Sequence, residues 1–201
     1  MRLVLMVKEP VAGRAKTRLS RGVGVGRAIG FYRKATAATV SRLAADPRWE
    51  TLLAIAPDTA LATRAIASRC PRIRQGAGDL GQRMQRVMDR LPPGPVIIVG
   101  TDIAGVRPDE IALAFRRLGH NQAVFGPASD GGYWLVGLRR RPRILKTFDN
   151  VRWSSAAALA DTVANLPGGS VAMVATLQDV DEPEDYARSG MVAVRRVLPT
   201  T

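Results

Sequence analysis

The chain has 201 residues, 46% hydrophobic and 23% charged, values that suit one globular domain spanning 1–201 and exclude a disordered or fibrous chain. Lys and Arg number 30 against 17 Asp and Glu, so the net charge is +13 and anionic ligands are favoured. No apolar run is long enough to span a bilayer, the one cysteine (Cys70) can form no internal disulfide, and 5% aromatic content is thin for a base-stacking surface. A cytoplasmic location is therefore expected, with nucleic acid not the expected partner.

In chain order, Leu3 to Val7 reads as a buried strand. It leads into Lys8-Glu9-Pro10-Val11-Ala12-Gly13-Arg14-Ala15-Lys16-Thr17-Arg18-Leu19. A cationic loop between a strand and a helix is a place to hold phosphate, although a solvated basic loop explains it equally well. Arg27 to Ala45 has helical periodicity, with Ile29, Tyr32, Thr36, Val40 and Leu43 on one face. Thr51 to Ala56 reads as a strand and Pro57-Asp58-Thr59 as the start of a short helix. Leu80 to Leu91 reads as a helix with Leu80, Met84, Val87, Met88 and Leu91 inward. Pro95 to Val99 is a continuous β-branched strand closed by Gly100-Thr101-Asp102. Pro108 to Leu118 opens with a helix-starting proline. Ala123 to Phe125 and Tyr133 to Leu138 read as strands around a polar loop. Arg139 to Arg143 reads as a solvated turn. Ser154 or Ser155 caps an alanine-rich helix to about Leu166, Ser170 to Leu177 is a late strand, and Pro183 to Arg188 a short helix. This alternation predicts a layered α/β fold with a mostly parallel sheet, whose ligands bind beyond the carboxyl ends of the strands.

The familiar phosphate loops are absent. Ala15 rather than Gly precedes Lys16-Thr17, and Gly22, Gly24 and Gly26 never complete G-x-G-x-x-G. His120 sits in a turn and no G-x-S-x-G accompanies it, which argues against a serine hydrolase. Asp102 ends the strongest strand, where a carboxylate faces the ligand crevice and suits Mg²⁺. Asp179 and Asp181 alternate with Val180, so both can point one way from an extended segment. Gln75 carries a donor and an acceptor, enough to read a nucleobase edge, and Gly76 allows close approach of a ligand. Asp79 either joins them or caps the next helix. Asp130-Gly131-Gly132 is explained by a hairpin turn, or, with Tyr133 and Trp134 behind it, by an acceptor pocket.

Taken in order, K-E-P-V-A-G-R-A-K-T-R-L, Q-G-A-G-D-L-G-Q-R-M, V-G-T-D, G-P-A-S-D-G-G-Y-W-L-V-G-L and D-V-D-E-P-E-D resemble a bacterial glycosyltransferase-like family of unknown function. That family belongs to the GT-A nucleotide-diphospho-sugar transferase superfamily, and the chain is more distantly similar to phospholactate guanylyltransferase. The resemblance implies a three-layer Rossmann-like fold that binds a nucleoside triphosphate or nucleotide sugar with Mg²⁺ or Mn²⁺. It assigns Lys8, Gly13, Lys16 and Arg18 to the phosphates, with Gln75, Gly76 and Asp79 in the base region. Asp102 and Asp181 match the metal ligands. Asp130, Gly131, Gly132 and Tyr133 fall in the acceptor region. Relatives carry Pro soon after the metal aspartate, where this chain has Ile103-Ala104, and Thr where it has Glu182.

The expected activity is metal-dependent transfer of a nucleotidyl or glycosyl group to a small-molecule acceptor. Lys16 and Arg18 would neutralise a leaving pyrophosphate, and Asp130 would act as base in the glycosyl version. A basic nucleic-acid-binding protein and a non-catalytic nucleotide-binding homologue are the alternatives, and a homodimer is open to the chain.

Overall fold

The computed structural model describes residues 1–11, 17–101, 103, 105–166 and 168–177, with Thr17 and Arg18 described by backbone only. Among these residues seven strands form one sheet in the order β3-β2-β1-β4-β6-β5-β7. They are β1 (Arg2–Lys8), β2 (Glu50–Ala56), β3 (Arg72–Arg74), β4 (Val96–Gly100), β5 (Ala123–Pro127), β6 (Tyr133–Leu138) and β7 (Val171–Met173). Strand β1 pairs parallel with both β2 and β4, and β2 with β3; β6 alone runs antiparallel to its neighbours β4 and β5. The chain therefore builds outward from β1 to β3, then crosses back to start the other half at β4. The crevice opens beyond the carboxyl ends of β1 and β4, where that order reverses.

The period of two along each strand sorts the core into two layers. Leu3, Leu5 and Val7 face one side with Ile97 and Val99. There they meet Val40 and Leu43 of α2 (Val25–Ala44) and Ile111 and Phe115 of α4 (Pro108–His120). Val4, Leu52, Ile98 and Val136 face the other side, against Met84, Val87 and Met88 of α3 (Leu80–Arg90), with α5 (Ala158–Ala164) beside them. Each such side chain contributes roughly 1.5–3 kcal/mol when fully buried. A further helix, α1 (Thr17–Val23), packs on α2 through Leu19, Ala28 and Phe31. The layered α/β architecture expected from the alternation, and its three-layer form implied by the resemblance, are thus present.

Several local expectations differ. Leu80 is 47% exposed rather than inward: it is the first residue of α3 and lines a cavity at the strand ends. The alanine-rich helix starts at Ala158, with Ala157 at its N-cap and no side-chain cap. Ser155 is spent on a tighter turn instead: its Oγ donates to the Arg152 carbonyl at 2.6 Å and accepts from the Ala157 N–H. The late strand is interrupted: β7 ends at Met173, and pairing resumes only as a bridge between Leu177 and Ala128. The strand β3 and helix α1 are additions the periodicity did not reveal, being three and seven residues long. The helix expected over 183–188 lies outside the described residues.

The basic run Arg139 to Arg143 is not simply a solvated turn. Arg140 has a positive φ of 56° and is 4% exposed. Its guanidinium donates to the carbonyls of Leu91, Pro92 and Gly94 at 2.5–3.1 Å, closing the carboxyl end of α3 onto the start of β4. A cation there also meets the negative end of the helix dipole. Replacing Arg140 with Met leaves these carbonyls without a donor, and a loss of about 3 kcal/mol in denaturant unfolding is expected. An unchanged unfolding midpoint would remove Arg140 from this role.

Candidate functional site at the strand-order reversal

A cavity of about 440 Å³ lies at the carboxyl ends of β1 and β4. Its walls come from separate segments that the sheet gathers at one pole. Lys8 ends β1, Thr101 follows β4, and Gln75 follows β3. Asp130 comes from the β5–β6 hairpin, whose turn reaches the same pole because β6 is antiparallel.

The floor is held by backbone-directed hydrogen bonds. Thr101 Oγ1 donates to the Met6 carbonyl at 3.1 Å, tying the end of β4 to β1. The Tyr32 hydroxyl of α2 accepts from the Lys8 N–H at 3.1 Å and donates to the Lys8 carbonyl at 3.0 Å. The Arg33 guanidinium donates to the Pro10 carbonyl, so α2 grips the first residues of the cationic loop twice. Lys8 itself is exposed and lines the cavity.

Gln75 is buried, and both hydrogens of its amide nitrogen have takers: the carbonyls of Ala54 at 2.7 Å and Val7 at 3.2 Å. Its donors therefore brace β1 and β2, and what remains for a ligand is the amide oxygen. That is half of the edge-reading capacity expected from the residue type. Gly76 has φ +80° and donates its N–H to Asp58; a Cβ there would fall on the Arg86 guanidinium, which itself staples the carbonyls of Gln75 and Ala77. Asp79 takes the capping role. Its carboxylate accepts from the Gln82 N–H at 2.8 Å while Gln82 accepts from the Asp79 N–H, and Asp79 is not among the cavity-lining residues.

Asp130 is exposed, and its Oδ1 accepts the Gly132 N–H at 2.9 Å, which orients the carboxylate in the turn. Gly131 has φ +85°, and a Cβ there would strike the backbone of Ala156. The hairpin turn and the 152–157 loop are therefore in contact through glycine. Tyr133 lines the cavity with its hydroxyl 3.3 Å from Thr162 Oγ1. Because Thr162 donates to the Ala158 carbonyl at 2.7 Å, Tyr133 is the donor in that pair. Burial pushes the phenol's pKa above its usual value, which keeps it protonated.

The 152–157 loop adds residues that the sequence reading did not assign. Trp153, Ser154 and Ser155 all line the cavity, and the Trp153 ring meets Tyr133 edge-on with centroids 6.3 Å apart. Arg152 fastens this loop to α5: its N–H and guanidinium reach the Asp161 carboxylate at 2.8–3.0 Å. No spacing rule announced them. The contact of Gly81 with the Trp153 ring, which only a glycine allows, is likewise a tertiary fact.

Gly13, Lys16, Asp102 and Asp181 lie outside the described residues, as does the side chain of Arg18. Thr101 and Ile103, on either side of Asp102, both line the cavity. Leu177, four positions before Asp181, bridges Ala128 at the cavity wall. Among the described residues no group of three His, Cys, Asp or Glu side chains could hold a metal.

A family model described as "uncharacterized protein conserved in bacteria (DUF2064)" matches residues 39–155. The chain belongs to this family. Among solved structures, the family member is similar to a candidate nucleotide-diphospho-sugar transferase from Desulfovibrio desulfuricans G20. The identity is 27% and the TM-score 0.83, over 97% of this chain and 90% of that one. It also shares its fold with the bifunctional IspDF from Campylobacter jejuni (10% identity, TM-score 0.60, 94% of this chain and 53% of that one). A third is Rv0371c from Mycobacterium tuberculosis H37Rv in complex with manganese (17% identity, TM-score 0.55, 94% and 96%). Among curated proteins none matches. The fold is that of the GT-A nucleotide-diphospho-sugar transferases. Among the described residues no helix is long and apolar enough to cross a membrane.

Two outcomes follow from this geometry. Gly131→Ala forces a left-handed residue and a collision with Ala156, so a destabilisation of about 2 kcal/mol or more is expected by chemical denaturation. Stability within experimental error of the parent would show that the turn and loop do not touch. The second concerns acid. The Arg152 hydrogen bonds hold Asp161 down to a pKa of about 2, whereas an unfolded aspartate titrates at about 4. The clasp thus contributes fully above about pH 4 and is lost as the pH falls through about 2. An acid titration of tryptophan fluorescence should contain a step that Asp161→Asn removes; an identical profile in the variant would refute the clasp.

Proposed function

We propose that this chain is a metal-dependent transferase acting as one domain, which binds a nucleoside triphosphate or nucleotide sugar in the 440 Å³ cavity and transfers a nucleotidyl or glycosyl group to a small acceptor. One observation carries this reading. The cationic end of β1, the residues flanking Asp102 and the Asp130 carboxylate border a single cavity at the strand-order reversal, in a chain similar along 97% of its length to a candidate nucleotide-diphospho-sugar transferase.

Lys8, Gly13, Lys16 and Arg18 are proposed for the phosphates, where guanidinium and ammonium groups neutralise charge as it moves to the leaving group. In nucleotidyl transfer an acceptor phosphate oxygen bonds to the α-phosphorus, the bond to the bridging oxygen breaks, and pyrophosphate departs. In glycosyl transfer the acceptor oxygen bonds to the anomeric carbon, the bond from that carbon to the diphosphate oxygen breaks, and the nucleoside diphosphate departs, while Asp130 removes the acceptor hydroxyl proton. The Oδ1 bond from Gly132 leaves its other oxygen for that task. The Gln75 amide oxygen and the Gly76 backbone serve the base region. Trp153, Tyr133, Ser154 and Ser155 form the acceptor side, with aromatic faces for an apolar or sugar surface and hydroxyls for polar groups.

Mg²⁺ or Mn²⁺ belongs to the proposal through Asp102 and Asp181. The described residues do not by themselves form a metal site, since no three His, Cys, Asp or Glu side chains gather among them. A bound divalent ion would neutralise phosphate charge.

The test combines ligand and variant. Nucleoside triphosphates and nucleotide sugars, with and without Mg²⁺ or Mn²⁺, should raise the melting temperature in a concentration-dependent way. Lys16→Ala and Asp102→Asn should each lower turnover at least about 100-fold while far-UV circular dichroism is unchanged. Folded variants with near-parent turnover would overturn the assignment.

A further inference from the structure

Most polar side chains on the 440 Å³ cavity are already committed to the protein itself. The hydroxyls of Tyr32, Thr101 and Tyr133 bond to the Lys8 backbone, to the Met6 carbonyl and to Thr162. Both amide hydrogens of Gln75 go to strand carbonyls, and Ser155 Oγ donates to the Arg152 carbonyl while accepting the Ala157 N–H. A ring bearing several hydroxyls would meet few open partners on such walls, and each buried hydroxyl left unpaired costs affinity.

Apolar side chains are open instead. Met6 of β1, Leu80 of α3, Tyr133 of β6 and Trp153 line this cavity, and each is at least partly exposed. Leu80, at 47% exposure, belongs to the few large apolar side chains that the described residues leave exposed, and is the only one of them on this cavity. Met6, Tyr133 and Trp153 lie against the core layer on the α3 side of the sheet, so that layer continues into the cavity as an apolar wall. Arg83 stands beside the wall. It is half-buried, lines the cavity, and lies three positions after Leu80 on the same face of α3. Its Nε donates to the Gly78 carbonyl at 2.8 Å, which fixes the guanidinium plane. Among the described residues neither terminal nitrogen of Arg83 has a partner, and no carboxylate pairs with it.

We infer that the acceptor side takes a small amphiphile, an apolar body of about phenyl size that ends in an anionic group. The inference rests on the transferase reading and narrows its acceptor. The body lies against Leu80, Trp153, Tyr133 and Met6, where apolar area leaves water. The free edge of the Arg83 guanidinium takes two oxygens of a phosphate or carboxylate, whose geometry its fork matches. The Gly78 bond holds that fork in place before the ligand arrives, so little side-chain freedom is lost on binding. Arg83 is thus a binding residue to which the sequence pattern assigned no role.

The test is an NMR titration of the ¹⁵N-labelled full chain with phenyl phosphate and with benzoate. Glucose 1-phosphate (charge without an apolar body) and benzyl alcohol (the reverse) are run in parallel. Saturable shifts of the Leu80, Arg83, Tyr133 and Trp153 amides are expected, and the tighter aromatic anion identifies the charged group. That anion should bind at least about 10-fold more tightly than either control. Leu80→Ser should weaken it about 3-fold or more, because an exposed leucine leaves the contact. Arg83→Gln should weaken it about 10-fold while benzyl alcohol binding is unchanged, and Arg83→Lys should restore part of the loss. Glucose 1-phosphate binding as tightly, anion affinity unchanged in Arg83→Gln, or loss of benzyl alcohol binding along with the anion would each overturn the inference. The titration is then repeated with an excess of each ribonucleoside triphosphate and Mg²⁺. Binding of both together is expected; displacement of the aromatic anion would put the ring in the base region and overturn the acceptor assignment. Nucleotide binding with no aromatic-anion binding sinks this inference alone, and the converse sinks the transferase reading alone.

Discussion

Strand β1 is paired on both sides by parallel neighbours, and the chain reaches those neighbours in opposite directions. Two crossover connections cannot occupy the space above the same strand end, so a crevice must open where they part. The hydrogen bonds around it keep that opening from closing. Thr101 ties β4 to the Met6 carbonyl, Gln75 ties β1 and β2 from below, and Tyr32 pins the Lys8 backbone from the helical layer. The cavity is a consequence of topology that polar side chains then brace.

The other half of the cavity depends on one antiparallel strand. Because β6 runs against β4 and β5, the β5–β6 turn returns to the crevice pole and delivers Asp130 there. Gly131 lets the 152–157 loop lie directly on that turn, and the Arg152–Asp161 pair holds the loop in place. Trp153 comes to rest against Tyr133 as a result. The aromatic side of the site is built by contacts between segments some twenty residues apart, none of them periodic.

The charge excess also has a structural origin. Arg33, Arg42, Arg72, Arg83, Arg86 and Arg140 each donate to backbone carbonyls of loops or helix ends. A carbonyl acceptor carries no formal charge, so each such cross-link adds +1 without a balancing carboxylate. Arginine's planar fork suits this use, since it can bridge two or three carbonyls at once. Part of the +13 is therefore loop architecture, not a continuous stripe for a polyanion.

From the sequence alone, the alternation of apolar runs and helical periods determined the layered α/β fold and the strands β1, β2, β4 and β6, because burial on one or both faces dictates where apolar residues recur. It also determined that Lys8, Thr101 and Asp130 sit at strand ends or turns at one pole of the sheet, the one where the 440 Å³ cavity lies. Only the tertiary structure decided how side chains with several options spend their hydrogen bonds. Asp79 could cap or bind, and the Gln82 N–H made it a cap. Gln75 could read a ligand, but two strand carbonyls claimed its donors. Arg140 looked like one more surface cation until the chain reversal at 138–140 turned it under α3. The short elements α1 and β3 and the Trp153 loop were invisible for the same reason: their stability comes from partners distant in sequence, and a local pattern carries no record of them.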